Sequence, residues 1–216
     1  MEPAFIYRLL EKIHEFYPVG MQRLTGYPGE KRMMEIIEKK INALINEEQT
    51  EWTALFHSLK KLAANYQVID NSARQFPSYT MSVLYEEAGS GELNRRTEIV
   101  FTISLLCEYY TCFIHDFYRI DSQILFSQRR KIYSTNVVSL ENHLSFEKAK
   151  PIIERADAEI RKFFPGHTYV NHASLFYNKI NGAVPFGAIE DMPAQPYSIY
   201  HFLFDGYFAK EPNITA

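Results

Sequence analysis

The order of residues predicts an α+β fold: N-terminal helices, an antiparallel meander sheet with long hairpins, one further helix and an aromatic C-terminal segment. Three observations predict it. Apolar residues recur at helical spacing through the first third of the chain. The period shortens to that of strands between Ser78 and Ile120. A single helical stripe then returns before a tail dense in Tyr, Phe, Pro and Gly. Helices and strands that segregate along a chain in this way build α+β folds rather than alternating βαβ units. The 216 residues suit one domain spanning 1–216, inside which 1–70 and 71–216 can form a helical lobe and a sheet-plus-helix lobe. A chain of this length buries roughly 70% of its unfolded surface, enough for a core without disulfide or metal staples.

The first helix is carried by Phe5, Ile6, Leu9, Leu10, Ile13 and Phe16, which fall on one stripe, with Arg8, Glu11, Lys12 and Glu15 outside it. Pro18 and Gly20 end it, and Tyr27-Pro28-Gly29 reads as a turn. Met33, Ile37, Ile41, Leu44 and Ile45 form a second stripe, and Trp52, Leu55, Phe56, Leu59, Leu62, Ala63 and Tyr66 a third, with Thr50 placed to cap it. These last two stripes are either an antiparallel helical hairpin or one long bent helix.

Ser78–Glu87 is rich in β-branched and aromatic residues, and Ala88-Gly89-Ser90-Gly91-Glu92 supplies a hairpin turn. The stretch from Arg95 to Ile120 would run roughly 80 Å as a single strand at about 3.3 Å per residue, so it breaks near Leu106–Glu108 into two antiparallel strands. Ile99, Phe101, Ile103 and Leu105 share one face, and Tyr109, Phe113 and Phe117 continue the same parity. Ile132–Val138 is a strand or an extended loop. Ile152, Ile153, Ala156, Ile160, Phe163 and Phe164 make a helical stripe that Pro165-Gly166 stops. Ser145 can cap this helix, but Pro151 would then lie inside it, so the helix either kinks at Pro151 or begins there. Asn181-Gly182, Pro185-Phe186-Gly187 and Met192–Pro196 mark turns, and Tyr197–Phe204 reads as an edge strand closed by Asp205-Gly206. The helices are expected to cover one sheet face and to leave the other partly open.

Composition disfavours several functions. The net charge is −3, and the basic residues are scattered, the longest run being Arg129-Arg130-Lys131. Nucleic-acid affinity needs a denser basic field, so no nucleic-acid partner is expected. No stretch nears the roughly 20 apolar residues of a membrane span, and the charged N-terminal stretch has no signal-peptide apolar region, so no membrane partner and a cytoplasmic location are expected. Asn213-Ile214-Thr215 matches a glycosylation sequon of the kind that arises by chance. Cys107 and Cys112 read as free buried thiols, although a tight turn between them would allow a bridge.

Catalytic signatures are sparse. Neither a nucleophile elbow nor a phosphate loop occurs, and Gly89-Ser90-Gly91 joins strands rather than opening a helix, so no cofactor is expected. The closest histidine pair, His167 and His172, has a spacing that does not place two ligands on one helical face, so no metal is expected. His115 and Asp116 are neighbours on a strand and point to opposite faces, so a His–carboxylate pair would need a partner from elsewhere. They read as strand-end polar residues facing water, and no catalytic residue is assigned.

The aromatic content is the unusual feature: 15 Tyr and 16 Phe. Tyrosine joins apolar area to a polar tip and suits half-buried faces and interfaces. A C-terminal segment has little core to enter, so Tyr197, Tyr200, Phe202, Phe204, Tyr207 and Phe208 form the candidate protein interface. The sequence thus points to a non-enzymatic cytoplasmic interaction protein with a protein partner, such as a toxin-neutralising protein or a subunit of a bacterial assembly. The alternative is a small-molecule-binding protein or enzyme whose pocket is formed by a curved antiparallel sheet. Oligomeric state is not legible.

Overall fold

A computed structural model describes residues 3–20, 27–90, 93–123, 130–188, 196–208 and 214–215, with backbone alone at 3, 90, 120–123, 130–137 and 214–215. The predicted α+β fold is present. Helices α1 (Pro3–Phe16), α2 (Pro28–Ile45) and α3 (Glu51–Leu62) precede strands β1 (Gln67–Asp70), β2 (Ser78–Ser90), β3 (Leu93–Ser104), β4 (Tyr109–Gln123) and β5 (Arg130–Ser139). Then come α4 (Phe146–Phe163), β6 (Thr168–Tyr169), α5 (His172–Phe176), β7 (Lys179–Ile180), β8 (Tyr197–Ser198), α6 (Ile199–Leu203) and β9 (Ile214–Thr215). The main sheet has the order β1-β2-β3-β4-β5-β9 and is antiparallel throughout that path; β6 adds to β4 in parallel, and β7 pairs with β8 apart from it.

The second and third helical stripes are two helices, because the link at Asn46–Thr50 ends one and caps the other. Glu47 takes a left-handed φ of 52° there. Thr50 and Thr53 then form a reciprocal capping box, Thr53 N–H donating to Thr50 Oγ1 (3.3 Å) and Thr50 N–H to Thr53 Oγ1 (2.8 Å). Tyr27-Pro28-Gly29 is a helix start rather than the turn its composition predicts. Pro28 opens α2, where its missing N–H costs nothing. A Cβ on Gly29 would collide with the Glu15 carbonyl oxygen, so glycine lets α2 cross the end of α1. Arg32 ties the same crossing, bonding Glu15 at 3.1 Å and lying 4.5 Å above the Phe16 ring.

The break at Leu106–Glu108 is where the sequence places it, but it reverses the parity of β4 relative to β3. Ile103 pairs with Tyr110, Phe101 with Cys112 and Ile99 with Ile114, so odd positions of β3 oppose even positions of β4. Ile99, Phe101, Ile103, Cys112 and Ile114 therefore face α3 and α4, together with Met81 and Val83, whereas Phe113 faces the other way. The turn fixed the register, and a one-residue change of register exchanges the faces. Gly89 stays in the strand opposite Asn94, while Gly91-Glu92 lie outside the described residues.

Neither face of the sheet's inner half is open, contrary to the expectation from sequence. One face packs on α3 and α4. The other, lined by Ser78, Thr80, Val100, Thr102, Thr111 and Phe113, is covered by α1, α2, α5 and the segment from Ile199 to Phe208. Towards the hairpin ends burial falls away: β2 is exposed from Glu86 to Gly89, and β3 is exposed at Leu93 and Asn94. Exposure of consecutive residues means both faces are bare, so the β2–β3 end of the sheet projects beyond both helical layers.

Ile132–Val138 is strand, inside β5. Helix α4 starts at Phe146 and runs through Pro151. Ser145 precedes it but its side chain makes no cap bond, because its ψ of 6° is not the extended conformation a capping residue uses; its N–H donates to His143 Nδ1 (3.0 Å). Tyr197–Phe204 is a two-residue strand followed by helix α6, not an edge strand: the Ser198 hydroxyl accepts the His201 N–H and starts a helical turn. Gly182 and Gly187 both take φ of 78°, as the two turns there require. Met192–Gln195 and Asn213 of the sequon lie outside the described residues. No described helix is long and apolar enough to cross a membrane.

Replacing Thr50 by Ala removes half of the capping box and is expected to lower stability by about 1 kcal/mol, read as a shift of the urea unfolding midpoint at constant slope.

Candidate functional site

Three places gather polar or aromatic side chains of the kind that carry function. The first is the C-terminal segment. Its carboxylate Asp205 is buried and accepts from the Tyr200 hydroxyl (2.8 Å), the N–H groups of Tyr207 (2.9 Å) and Phe208 (3.2 Å), and the Thr80 hydroxyl (3.4 Å). Burial lifts its carboxyl above the ordinary range, and the bonds from Tyr200, Phe208 and Tyr207 pull it part of the way back. Burial, with the charge of Asp205 adding to it, pushes the Tyr200 phenol well up, so Tyr200 stays a donor.

Around this anchor the six sequence-predicted interface residues separate. Tyr200, Phe202 and Phe204 are fully buried and Phe208 nearly so, in a stack where Tyr200 lies 4.2 Å from Phe176 and 5.2 Å from Phe204, and Phe113 meets both Tyr200 and Phe208 edge-on. Tyr197 is half-buried against His201. Tyr207 is 43% exposed, with the Arg74 guanidinium 3.5 Å over its ring. The premise that a tail has no core to enter is therefore corrected: the sheet's Ser/Thr-rich face receives it. Of the six, only Tyr207 and Tyr197 are within a partner's reach.

Beside this segment Lys40 is buried, its ammonium donating to the carbonyl oxygens of Phe76 (2.7 Å), Arg74 (2.8 Å) and Ser78 (3.1 Å). Burial pushes it down to about 8, against the pull of Asp70 and Asp205. Three acceptors suit the three donors of the charged form, so Lys40 clamps the link into β2 rather than presenting a free amine.

The second place is His115 and Asp116. Both are buried rather than facing water, a correction to the sequence reading. His115 lies edge-on to Phe208 at 4.9 Å under the C-terminal segment. Asp116, on the opposite face, accepts from the Thr97 hydroxyl and from His143 Nε2 at 2.8 Å, with Arg95 Nε at 3.9 Å. Arg95 in turn bonds Glu86 at 2.6 Å. Burial acts to raise the Asp116 carboxyl, but the bonds from Thr97 and His143 and the Arg95 charge outweigh it and hold it below its usual value. The distant partner that a His–carboxylate pair would need thus exists, and it is His143. Its Nδ1 accepts the Ser145 N–H, which leaves the proton on Nε2, facing Asp116. Both ring nitrogens are engaged, so the pair fastens the loop before α4 to the sheet and offers no free base. No local signal marks His143; the Thr97–Asp116 register, had it been known, would have shown where a partner was needed.

The third place is the projecting sheet end itself, where Glu86, Glu87, Leu93 and Asn94 are exposed and Arg95, Arg96, Phe117 and Tyr118 half-exposed. The edge of β2 beyond Leu84 has no β1 partner, since β1 pairs only with Met81–Leu84.

The remaining chemistry is quiet. Cys107 and Cys112 are free, and burial pushes the Cys107 thiol up to about 11 and Cys112 further. His167 meets the Ser104 carbonyl (3.4 Å) and Phe164, whereas His172 meets Phe113 and Phe176, so the sequence pair is not brought together. Among the described residues no three His, Cys, Asp or Glu side chains converge as a metal site would require. The fold defines the class, an α+β protein with a helix-sandwiched antiparallel sheet. The chain matches no protein-family model, no curated protein and no solved structure.

Two outcomes are expected. A carboxyl with a lowered native pKa contributes stability that is full above the unfolded value, near 3.9, and is lost as pH falls through the native value. The stability gap between the wild type and Asp116→Asn is therefore expected to be constant at neutral pH and to close below about pH 4, by urea unfolding across a pH series. Asp205→Ala, which strands buried donors, is expected to cost about 3 kcal/mol or more, and Asp205→Asn, which keeps one acceptor oxygen, distinctly less.

Proposed function

We propose that the protein acts by binding another protein, and that the projecting end of the sheet is the contact surface. One observation carries this reading: the described outer ends of β2 and β3 are bare on both faces, while the sheet's inner faces are filled by side chains. A second supports it. The groups with acid–base character are engaged internally, Asp205 by four donors, Lys40 by three carbonyls, and Asp116 and His143 by each other. Beyond Leu84 the β2 edge has no partner strand among the described residues; it is broken by a bulge between Leu84 and Glu86 and carries Glu86, bonded to Arg95, and the exposed Glu87. A bulge and a charge on an edge discourage pairing with further copies of the same strand while leaving Glu87 open to a basic group of a partner. Tyr207, with Arg74 stacked on it, and Tyr197 form a second contact region, the accessible part of the interface that the sequence predicts.

Sequestering a partner enzyme, as toxin-neutralising proteins do, and serving as a subunit of a bacterial assembly are the two cytoplasmic roles such a surface suits. A standard interface needs about 800 Å² from each partner.

The test is capture by immobilised protein from a lysate of the source cells, with wild type, Glu87→Arg/Leu93→Arg and Tyr197→Ala/Tyr207→Ala in parallel. One stoichiometric partner is expected to be retained by wild type and lost by the sheet variant. A partner insensitive to the sheet variant but lost by the tyrosine variant would move the surface to the tail, and one insensitive to both would overturn the proposal. The partner's own activity distinguishes neutralisation from assembly.

A further inference from the structure

Where α3 and α4 rest side by side on the sheet they leave a cavity of about 80 Å³. Leu59 of α3 and Ala63 at its C-cap, Val83 and Phe101 of the sheet, and Ile152 of α4 form its apolar walls, and Arg155 is its only charged lining residue. Leu62, which also lines it, and Arg155 are both exposed, so the cavity has a mouth.

Two independent features distinguish it from a packing flaw. Interiors are close-packed, and apolar space left unfilled destabilises a fold, yet here the space is bounded by three separate elements whose helices are otherwise joined, as by the Ser58 hydroxyl donating to Glu159 at 2.6 Å. The cation at the mouth is also uncommitted. Arg161 and Lys162, further along α4, are paired with Asp157 at 2.8 Å and Glu159 at 3.6 Å, whereas among the described residues Arg155, the one cation that lines the mouth, makes no ion pair or hydrogen bond. An apolar cavity of roughly 150 Å³ admits benzene, so one about half that size takes a smaller group, a branched alkyl of isopropyl or isobutyl dimensions. A guanidinium at the rim selects a carboxylate on that alkyl group, because its planar fork matches the two oxygens.

We propose that this cavity is a binding site for a short branched-chain carboxylic acid, with the alkyl end between α3, α4 and the sheet and the carboxylate on Arg155. The site lies inward of the projecting sheet end, Val83 preceding Glu86 by three residues on β2, and its occupancy does not depend on a protein partner.

Isovalerate and 3-methylbutan-1-ol, which differ only in the head group, are titrated separately into methyl-labelled protein and followed by NMR. Saturable shifts confined to the methyls of Leu59, Val83 and Ile152 are expected with both, isovalerate binding more tightly. Arg155→Gln, at an exposed position that leaves the fold alone, is expected to weaken isovalerate roughly three- to fivefold, the scale of an exposed ion pair, and to leave the alcohol unchanged. Ala63→Leu, which fills the cavity, is expected to remove both ligands; should it fail to fold, the Arg155→Gln comparison decides alone. Absence of saturable shifts in the wild type, equal loss of acid and alcohol in Arg155→Gln, or undiminished binding in a folded Ala63→Leu protein would each overturn the proposal.

Discussion

The carboxylate of Asp205 is the constraint on which the sheet's second face depends. That face presents Ser78, Thr80, Thr102 and Thr111, side chains that gain little from burial under hydrocarbon alone. Asp205 lies over this row, takes the Thr80 hydroxyl, and at the same time receives Tyr200 from the preceding helix and the backbone N–H groups of Tyr207 and Phe208. One group therefore closes the turn after α6 and fixes Tyr200, Phe204 and Phe208 over Phe113. The aromatic stack supplies the apolar area, and the carboxylate supplies the register. Lys40 does the equivalent on the adjoining edge, holding the link into β2 through three carbonyls. A buried charge is tolerable only when its bonding capacity is met, and in both cases main-chain groups help to meet it.

The same requirement governs the Asp116–His143 pair. A buried carboxylate beside an imidazole resembles an acid–base pair, but catalysis needs one nitrogen facing a substrate. Here the Ser145 N–H occupies Nδ1, and Nε2 is taken up by Asp116. The arrangement orients the loop that launches α4, and so sets where α4 meets α3. The polar groups of this molecule hold its layers together, which turns attention to surfaces: the bare sheet end, Tyr207 beneath Arg74, and the small apolar cavity whose rim arginine is uncommitted.

Periodicity alone determined α1 to α4, the β2–β4 meander and their order. Leu9 and Ile13, Met33 and Ile37, Trp52, Leu55 and Leu59 are buried where their stripes placed them, because a helical face exposes its spacing in the sequence. The Thr50 cap and the break before Tyr109 were legible for similar reasons: capping chemistry is local, and a strand cannot outrun its domain. What only the tertiary structure decided is whatever depends on pairing between distant segments. The turn at Leu105–Glu108 shifts register by one and sends Phe113 to the face opposite Phe101, which alternation within either strand could not reveal. Asp116 meets His143, and Thr80 meets Asp205, across separations that carry no local signal. The aromatic tail reads as an interface because sequence shows its composition but not the polar sheet face that receives it; once that face exists, burying Tyr200, Phe202 and Phe204 there gains more than exposing them.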